Sequence, residues 1–257
     1  MLKLIFCLFA GFALSVNGLK KESSRYPSCN GIPHSPVASR NKSDASLNRL
    51  MPQNYDIPVS KATVLNNGRN VQILMEDDDR RRRRRGTEAR IRIRVMGSGE
   101  FLLEQIQFNW GSFRGGDSTR TKRSLDGMPY DLEVAFVYES DENKLAVVMN
   151  RYKKSPKNNT AFDCVIQALH QIPDKGKKCN LPCSLDLQSL LTWNHARFRH
   201  CRGSLTTPDC GEPVQWFVQE RINNIGEQQM NEFLKLYSAT DVSSGCDLVN
   251  IYREAQP

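Results

Sequence analysis

The stretch Gln105-Ile106-Gln107-Phe108-Asn109-Trp110-Gly111 alternates small or polar residues with bulky apolar ones, and so does Leu132-Glu133-Val134-Ala135-Phe136-Val137-Tyr138 further along the chain. A period of two belongs to a β-strand whose two faces meet different surroundings. Gln105, Gln107 and Asn109 therefore share one face and Ile106 and Phe108 the other, while Glu133, Ala135 and Val137 share a face of the second stretch. Taken alone, the two pieces read as a half-buried strand pair.

The remaining strand signals agree. Asn66-Asn67-Gly68-Arg69 holds an Asn-Gly turn between Val64-Leu65 and Val71-Gln72-Ile73-Leu74, a hairpin signature. Leu145-Ala146-Val147-Val148 reads as a buried strand. Helices are few. From Thr160 to His170, Phe162, Val165, Ile166 and Leu169 recur at helical spacing, with Thr160 and Asp163 expected to cap. Glu227 to Tyr237 places Met230, Phe233, Leu234 and Tyr237 on one face. His170 is expected only to fringe its helix.

At 257 residues, 39% apolar and 25% charged, the chain suits one globular domain with a sizeable core. Its start joins Met1-Leu2-Lys3 to an apolar run from Leu4 to Val16 and then Asn17-Gly18, the pattern of a secretory signal. Residues 1–18 are expected to be removed, leaving 19–257 as the domain. The apolar run is too short to span a bilayer, and no later segment approaches the required ~20 residues. Export implies an oxidising compartment. It keeps seven cysteines in the mature chain: Cys29, Cys164, Cys179, Cys183, Cys201, Cys210 and Cys246. An odd number leaves one thiol free or bridged between molecules. Asn41-Lys42-Ser43 and Asn158-Asn159-Thr160 are glycosylation sequons.

Residues 19–49, rich in Ser, Asn, Pro and Arg, read as an irregular arm. A basic insertion loop is expected over 76–94, where Glu76-Asp77-Asp78-Asp79 precedes six arginines, Arg80, Arg81, Arg82, Arg83, Arg84 and Arg85. Next, Arg90, Arg92 and Arg94 alternate onto one strand face. Without the run, 36 − 6 = 30 basic residues face 28 acidic ones, so most of the formal +8 is local. Three readings stand for the run: a solvated loop neutralised by its acidic half, a patch for polyanions such as sulfated glycosaminoglycans or an acidic matrix, and a processing site. Arg120-Thr121-Lys122-Arg123 has a convertase-like pattern too. Export disfavours nucleic acid as the partner. Cys179-x3-Cys183 followed by His195-x4-His200 has roughly zinc-finger spacing. Pro182 inside the pair and the oxidising compartment argue against a finger.

With Gly203-Ser204-Leu205-Thr206-Thr207-Pro208 downstream, the two core strands resemble an α-class carbonic anhydrase. The resemblance runs from Cys29 to the C-terminus. It implies a mainly β fold with short helices (α+β), one domain on a large, mostly antiparallel central sheet. In that family the strands read His-Phe-His-Trp-Gly and Glu-Leu-His, and the three histidines hold a catalytic zinc. Gln107, Asn109 and Ala135 occupy those positions here. A zinc centre of this kind needs three protein donors and an open place for water. Neutral amides are poor donors to zinc and a methyl group is none.

The resemblance implies further losses. Arg69 stands where the family's shuttling histidine follows the glycine, and arginine does not deprotonate in proteins. Lys122 stands where a glutamate accepts the hydrogen bond of the motif threonine, here Thr206. Glu133, which would orient the third histidine, is kept. Leu205, Thr206, Thr207, Trp216, Val137 and Val147 would line the vestigial pocket. Cys29-Asn30-Gly31-Ile32-Pro33-His34-Ser35-Pro36 resembles the family's segment whose cysteine pairs with one beyond the Thr-Thr-Pro motif, implying Cys29 with Cys210. Asp209 departs from the family pattern, whereas Asn250-Ile251-Tyr252-Arg253 resembles the family's Asn-Trp-Arg end, after which the family normally adds one more segment. The expectation is a secreted pseudoenzyme with no cofactor, binding polyanions or an unidentified extracellular protein. The alternative is an active or residual zinc hydro-lyase using non-standard ligands.

Overall fold

Extended segments of this chain pair into one large sheet, whose outer strands alternate buried with more exposed side chains and whose central strands are buried on both faces. A computed structural model describes residues 50–68, 70–76, 90–110, 123–125, 128–192, 197–203 and 214–236. β1 (Leu50–Gln53), β2 (Ala62–Asn66), β3 (Val71–Met75), β4 (Arg92–Val95) and β5 (Gly99–Trp110) come first. A small ribbon of β6 (Arg123–Leu125) and β7 (Met128–Tyr130) follows, then β8 (Leu132–Glu139) and β9 (Leu145–Ser155). β10 (Lys178–Asn180), β11 (Phe198–Gly203) and β12 (Val214–Gly226) complete the strands. The main sheet runs β10-β2-β3-β5-β8-β9-β12-β11, with β4 on the first part of β5 and β1 on β4. Every pairing in it is antiparallel except β9 with β12.

Residues 67–70 join β2 to β3, where Gly68 takes φ +84° and its N–H donates to Asn66 Oδ1 at 2.9 Å. The positive φ favours glycine here, and a Cβ at Gly68 would also have to displace the Lys175 side chain, 2.5 Å away. β4 begins at Arg92, which shortens the expected insertion loop. Arg90 lies before the strand, and only Arg92 and Arg94 alternate within it.

Helices cover one face of the sheet. α1 (Asp163–Leu169), α2 (Leu187–Leu191) and α3 (Glu227–Leu234) are short. Phe233 of α3 stacks on Phe108 at 5.8 Å and leans on Trp110 at 5.2 Å. Phe162 meets Tyr152 edge-on at 4.9 Å. Fully burying a side chain such as Phe108 stabilises by roughly 1.5–3 kcal/mol.

The first expected helix is a 3-10 turn, Thr160–Phe162, running into α1. Its cap is Asn159 rather than Thr160, because Asn159 is extended and its side chain accepts from Ala161 N–H. α3 stops at Leu234, and Tyr237 lies outside the described residues. Cys164 and Cys183 form a disulfide tying α1 to the segment before α2. That removes Cys183 from any zinc finger. With its ends 19 positions apart in sequence, the chain-entropy model gives this bridge about 3 kcal/mol.

Candidate functional site

The face opposite the helices carries the expected site. Strand register sets its layout, because directly paired residues share a face. One row across the sheet reads Gln72, Gln107, Ala135, Met149 and Val218. On one side lies the row Gln105, Val137, Val147 and Trp216, and on the other Asn109, Glu133 and Arg151. The three positions matched to metal ligands thus come together: Gln107 pairs with Ala135, and Asn109 is two residues along β5.

Asn109 is held at both ends of its amide. Its Oδ1 accepts from Asn70 Nδ2 at 2.9 Å, and its Nδ2 donates to Glu133 Oε1 at 3.3 Å. Asn70 is fixed in turn by Asn67, whose Oδ1 accepts from the Asn70 N–H at 2.8 Å and whose Nδ2 donates to Asn70 Oδ1 at 2.7 Å. Tyr130 O–H donates to Glu133 Oε2 at 3.3 Å. An ionised carboxylate only accepts, so the nitrogen of Asn109 must face Glu133. The result is a chain of hydrogen bonds from the β2–β3 turn through β5 and β8 to β7. Beside it, buried Arg151 donates to the carbonyls of Gln219 at 3.0 Å and Glu220 at 2.8 Å, where β12 bulges against β9. Its guanidinium also lies 5.9 Å from the Tyr130 ring centre.

The other half of the face is apolar. Ala135, Val137, Val147, Met149, Val214, Trp216 and Val218 form one buried cluster. Ala135 is 3% exposed, so its methyl group belongs to this packing rather than to any polar centre. A catalytic zinc fits these positions poorly: Asn109 spends both amide atoms on protein partners, Gln107 offers a neutral amide, and Ala135 offers nothing. Among the described residues, no three His, Cys, Asp or Glu gather where a metal could sit.

At the far end of β5, Glu100 takes both β4 arginines. Arg94 Nη2 lies 2.5 Å from Glu100 Oε1 and Arg92 Nη1 3.5 Å from Oε2. The hydrogen bond from Arg94 leads in holding the Glu100 carboxyl below its ordinary range. Asn158 is exposed, as a glycosylation acceptor must be. His170 Nε2 lies 3.1 Å from Glu232 Oε2, linking the end of α1 to α3. Outside the described residues fall Arg69, Arg80 to Arg85, Lys122, Leu205, Thr206, Thr207, Cys29, Cys210 and Asn41, together with the signal segment and the arm. Sequence reasoning missed Asn70, Arg151 and Glu100. Asn70 sits one residue past the Asn-Gly turn, and only the register of β3 on β5 brings it to Asn109.

A family model described as eukaryotic-type carbonic anhydrase matches residues 18–257. The chain belongs to that family. It is 28% identical over 251 residues to carbonic anhydrase 6 of Bos taurus, covering 91% of this chain and 72% of that one. It is 27% identical over 256 residues to carbonic anhydrase 1 of Monodelphis domestica, covering 94% and 92%. Of carbonic anhydrase 6 from Canis lupus familiaris it spans 61%. The Photobacterium profundum alpha-carbonic anhydrase superposes with TM-score 0.71 at 24% identity, covering 96% of both chains. At that identity the likeness speaks for the carbonic anhydrase fold alone, which the sheet and its helix-covered face share.

Proposed function

We propose that this chain is a secreted, non-catalytic member of the carbonic anhydrase family that binds polyanions through its arginine-rich surface. The observation that carries the first part is the saturation of Asn109 by Asn70 and Glu133. A side chain whose acceptor and donor both serve the protein has nothing to give a metal, and its neighbour Ala135 packs into an apolar cluster. Support for export comes from the signal pattern at 1–18, and among the described residues no helix is long and apolar enough to cross a membrane. The polyanion part rests on the six-arginine run, whose charge dominates the chain's excess.

Two measurements on the purified full chain test this reading. Metal analysis is expected to give far less than one zinc per chain, and stopped-flow carbon dioxide hydration no rate above buffer. Stoichiometric zinc with inhibitor-sensitive turnover would establish the enzyme reading instead. For the second part, replacing Arg80 to Arg85 by serine is expected to abolish salt-sensitive retention on heparin, and unchanged retention refutes it.

A further inference from the structure

The outward face of β1, β4 and β5 has an unusual make-up. Met51 pairs with Arg94 and Gln53 with Arg92 on one side of β4, while Glu100 pairs with Arg94 and Leu102 with Arg92 on the other. Among the described residues the exposed large apolar side chains are Met51, Ile57 and Met96. Met51 lies in β1 directly opposite Arg94, and Met96, 61% exposed, lies in the turn that leads from β4 to β5. Two guanidiniums, 33% and 53% exposed, share the Glu100 carboxylate, one oxygen each.

We infer that this face seats a sulfated glycosaminoglycan chain and that Glu100 is its internal competitor, holding Arg92 and Arg94 until a sulfate replaces the carboxylate. This rests on the polyanion reading and locates its regulation. Glu100 is the carboxylate that both arginines contact, whereas Glu104 lies two residues past Leu102 on β5 and Glu139 two strands from Arg92, about 10 Å. Removing the Glu100 charge therefore adds one unit of positive charge to this face. Guanidinium forks match the oxygens of a tetrahedral anion. Met51 and Met96 offer apolar support to sugar ring C–H faces between the sulfates.

The experiment compares the full chain with Glu100→Gln, with Arg92→Gln/Arg94→Gln, and with the serine variant of the arginine run, on heparin across a salt series. Glu100→Gln is expected to bind heparin about fivefold tighter, the factor for one unit charge about 4 Å away in water. The double arginine variant is expected to lower the salt slope by about two. An exposed pair contributes little to folding, so Glu100→Gln leaves the melting temperature within about 2 °C of the parent, separating binding from stability. If Glu100→Gln elutes with the parent while the serine variant loses retention, this inference falls and the polyanion reading stands. If the parent itself ignores heparin, both fall. Capture by phosphatidylserine vesicles in preference to heparin overturns the choice of a glycan.

Discussion

Asn109→Asp exchanges one heavy atom, the amide nitrogen for an oxygen, and tests the hydrogen-bonded chain at its centre. The new carboxylate oxygen would stand where Nδ2 now donates, 3.3 Å from Glu133 Oε1. A charge-assisted hydrogen bond is lost, about 1.5 kcal/mol. At an effective dielectric of about 20, two unit charges at that distance repel by about 5 kcal/mol. The protein can escape by taking up one proton, which at pH 7 costs an ordinary carboxyl about 4 kcal/mol. Proton uptake is thus the cheaper route and caps the loss. Water reaching this partly exposed pair reduces it further, to roughly 3 kcal/mol in all.

The pair in the folded variant would bind its shared proton more tightly than two separated carboxyls do when unfolded. The folded state then holds more protons, so the variant recovers stability relative to the parent as pH falls from 7 towards 4. At pH 5 the proton costs only about 1 kcal/mol, and the protonated acid again donates to its neighbour. Urea unfolding of parent and variant at pH 7 and pH 5 measures both differences. Asn109→Ala serves as the uncharged control, with a loss of about 1–2 kcal/mol at both values. A loss for Asn109→Asp below about 0.5 kcal/mol at pH 7, or one that does not shrink at pH 5, would refute the contact between Asn109 and Glu133.

Gln229, 5% exposed, accepts from the N–H groups of Asn159 at 2.9 Å and Gly226 at 3.0 Å and donates to Asn159 O at 2.9 Å and Asp163 Oδ1 at 3.1 Å. Gln229→Leu keeps the volume and strands these partners, so a loss of about 3 kcal/mol is expected in thermal or urea unfolding, and one under about 1 kcal/mol contradicts the clamp. Asp186 caps α2 by accepting from Gln188 N–H at 2.9 Å and Ser189 N–H at 3.2 Å. The hydrogen bond from the Ser189 side chain leads in holding its carboxyl below the ordinary range. A depressed carboxyl stabilises above its unfolded titration and loses that contribution as pH falls through the folded one. Asp186→Ala is therefore expected to cost about 1 kcal/mol at pH 7 and progressively less as pH falls through the Asp186 titration, and a difference that does not shrink in acid would contradict the cap.

Local periodicity carried most of the fold. Alternation assigned the faces of β5 and β8 correctly because one side of each strand meets the helices and the other does not. The Asn-Gly turn gave the β2–β3 hairpin for the same local reason. What escaped depends on distant neighbours. Asn159 displaced Thr160 as the cap because its extended backbone, fixed by Gln229 from α3, aims its side chain at Ala161. Nothing local marks Arg151 in β9, whose guanidinium reaches two carbonyls bared where β12 bulges. The gathering of Gln107, Asn109 and Ala135 on one face was legible in the alternation of β5 and β8. The amide chain that runs through Asn109 was not, because Asn70 and Asn109 are 39 residues apart and nothing local couples them.

Sheet order also constrains oxidation. Cys179 lies in β10 and Cys201 in β11, the two outermost strands of the eight in line. Seven gaps of about 4.8 Å separate them, roughly 30 Å once twist is allowed for. A disulfide tolerates Cα atoms no more than about 7 Å apart. At that backbone separation a disulfide between residues 179 and 201 cannot form within one molecule, and any bond joining them is a covalent link between separate copies.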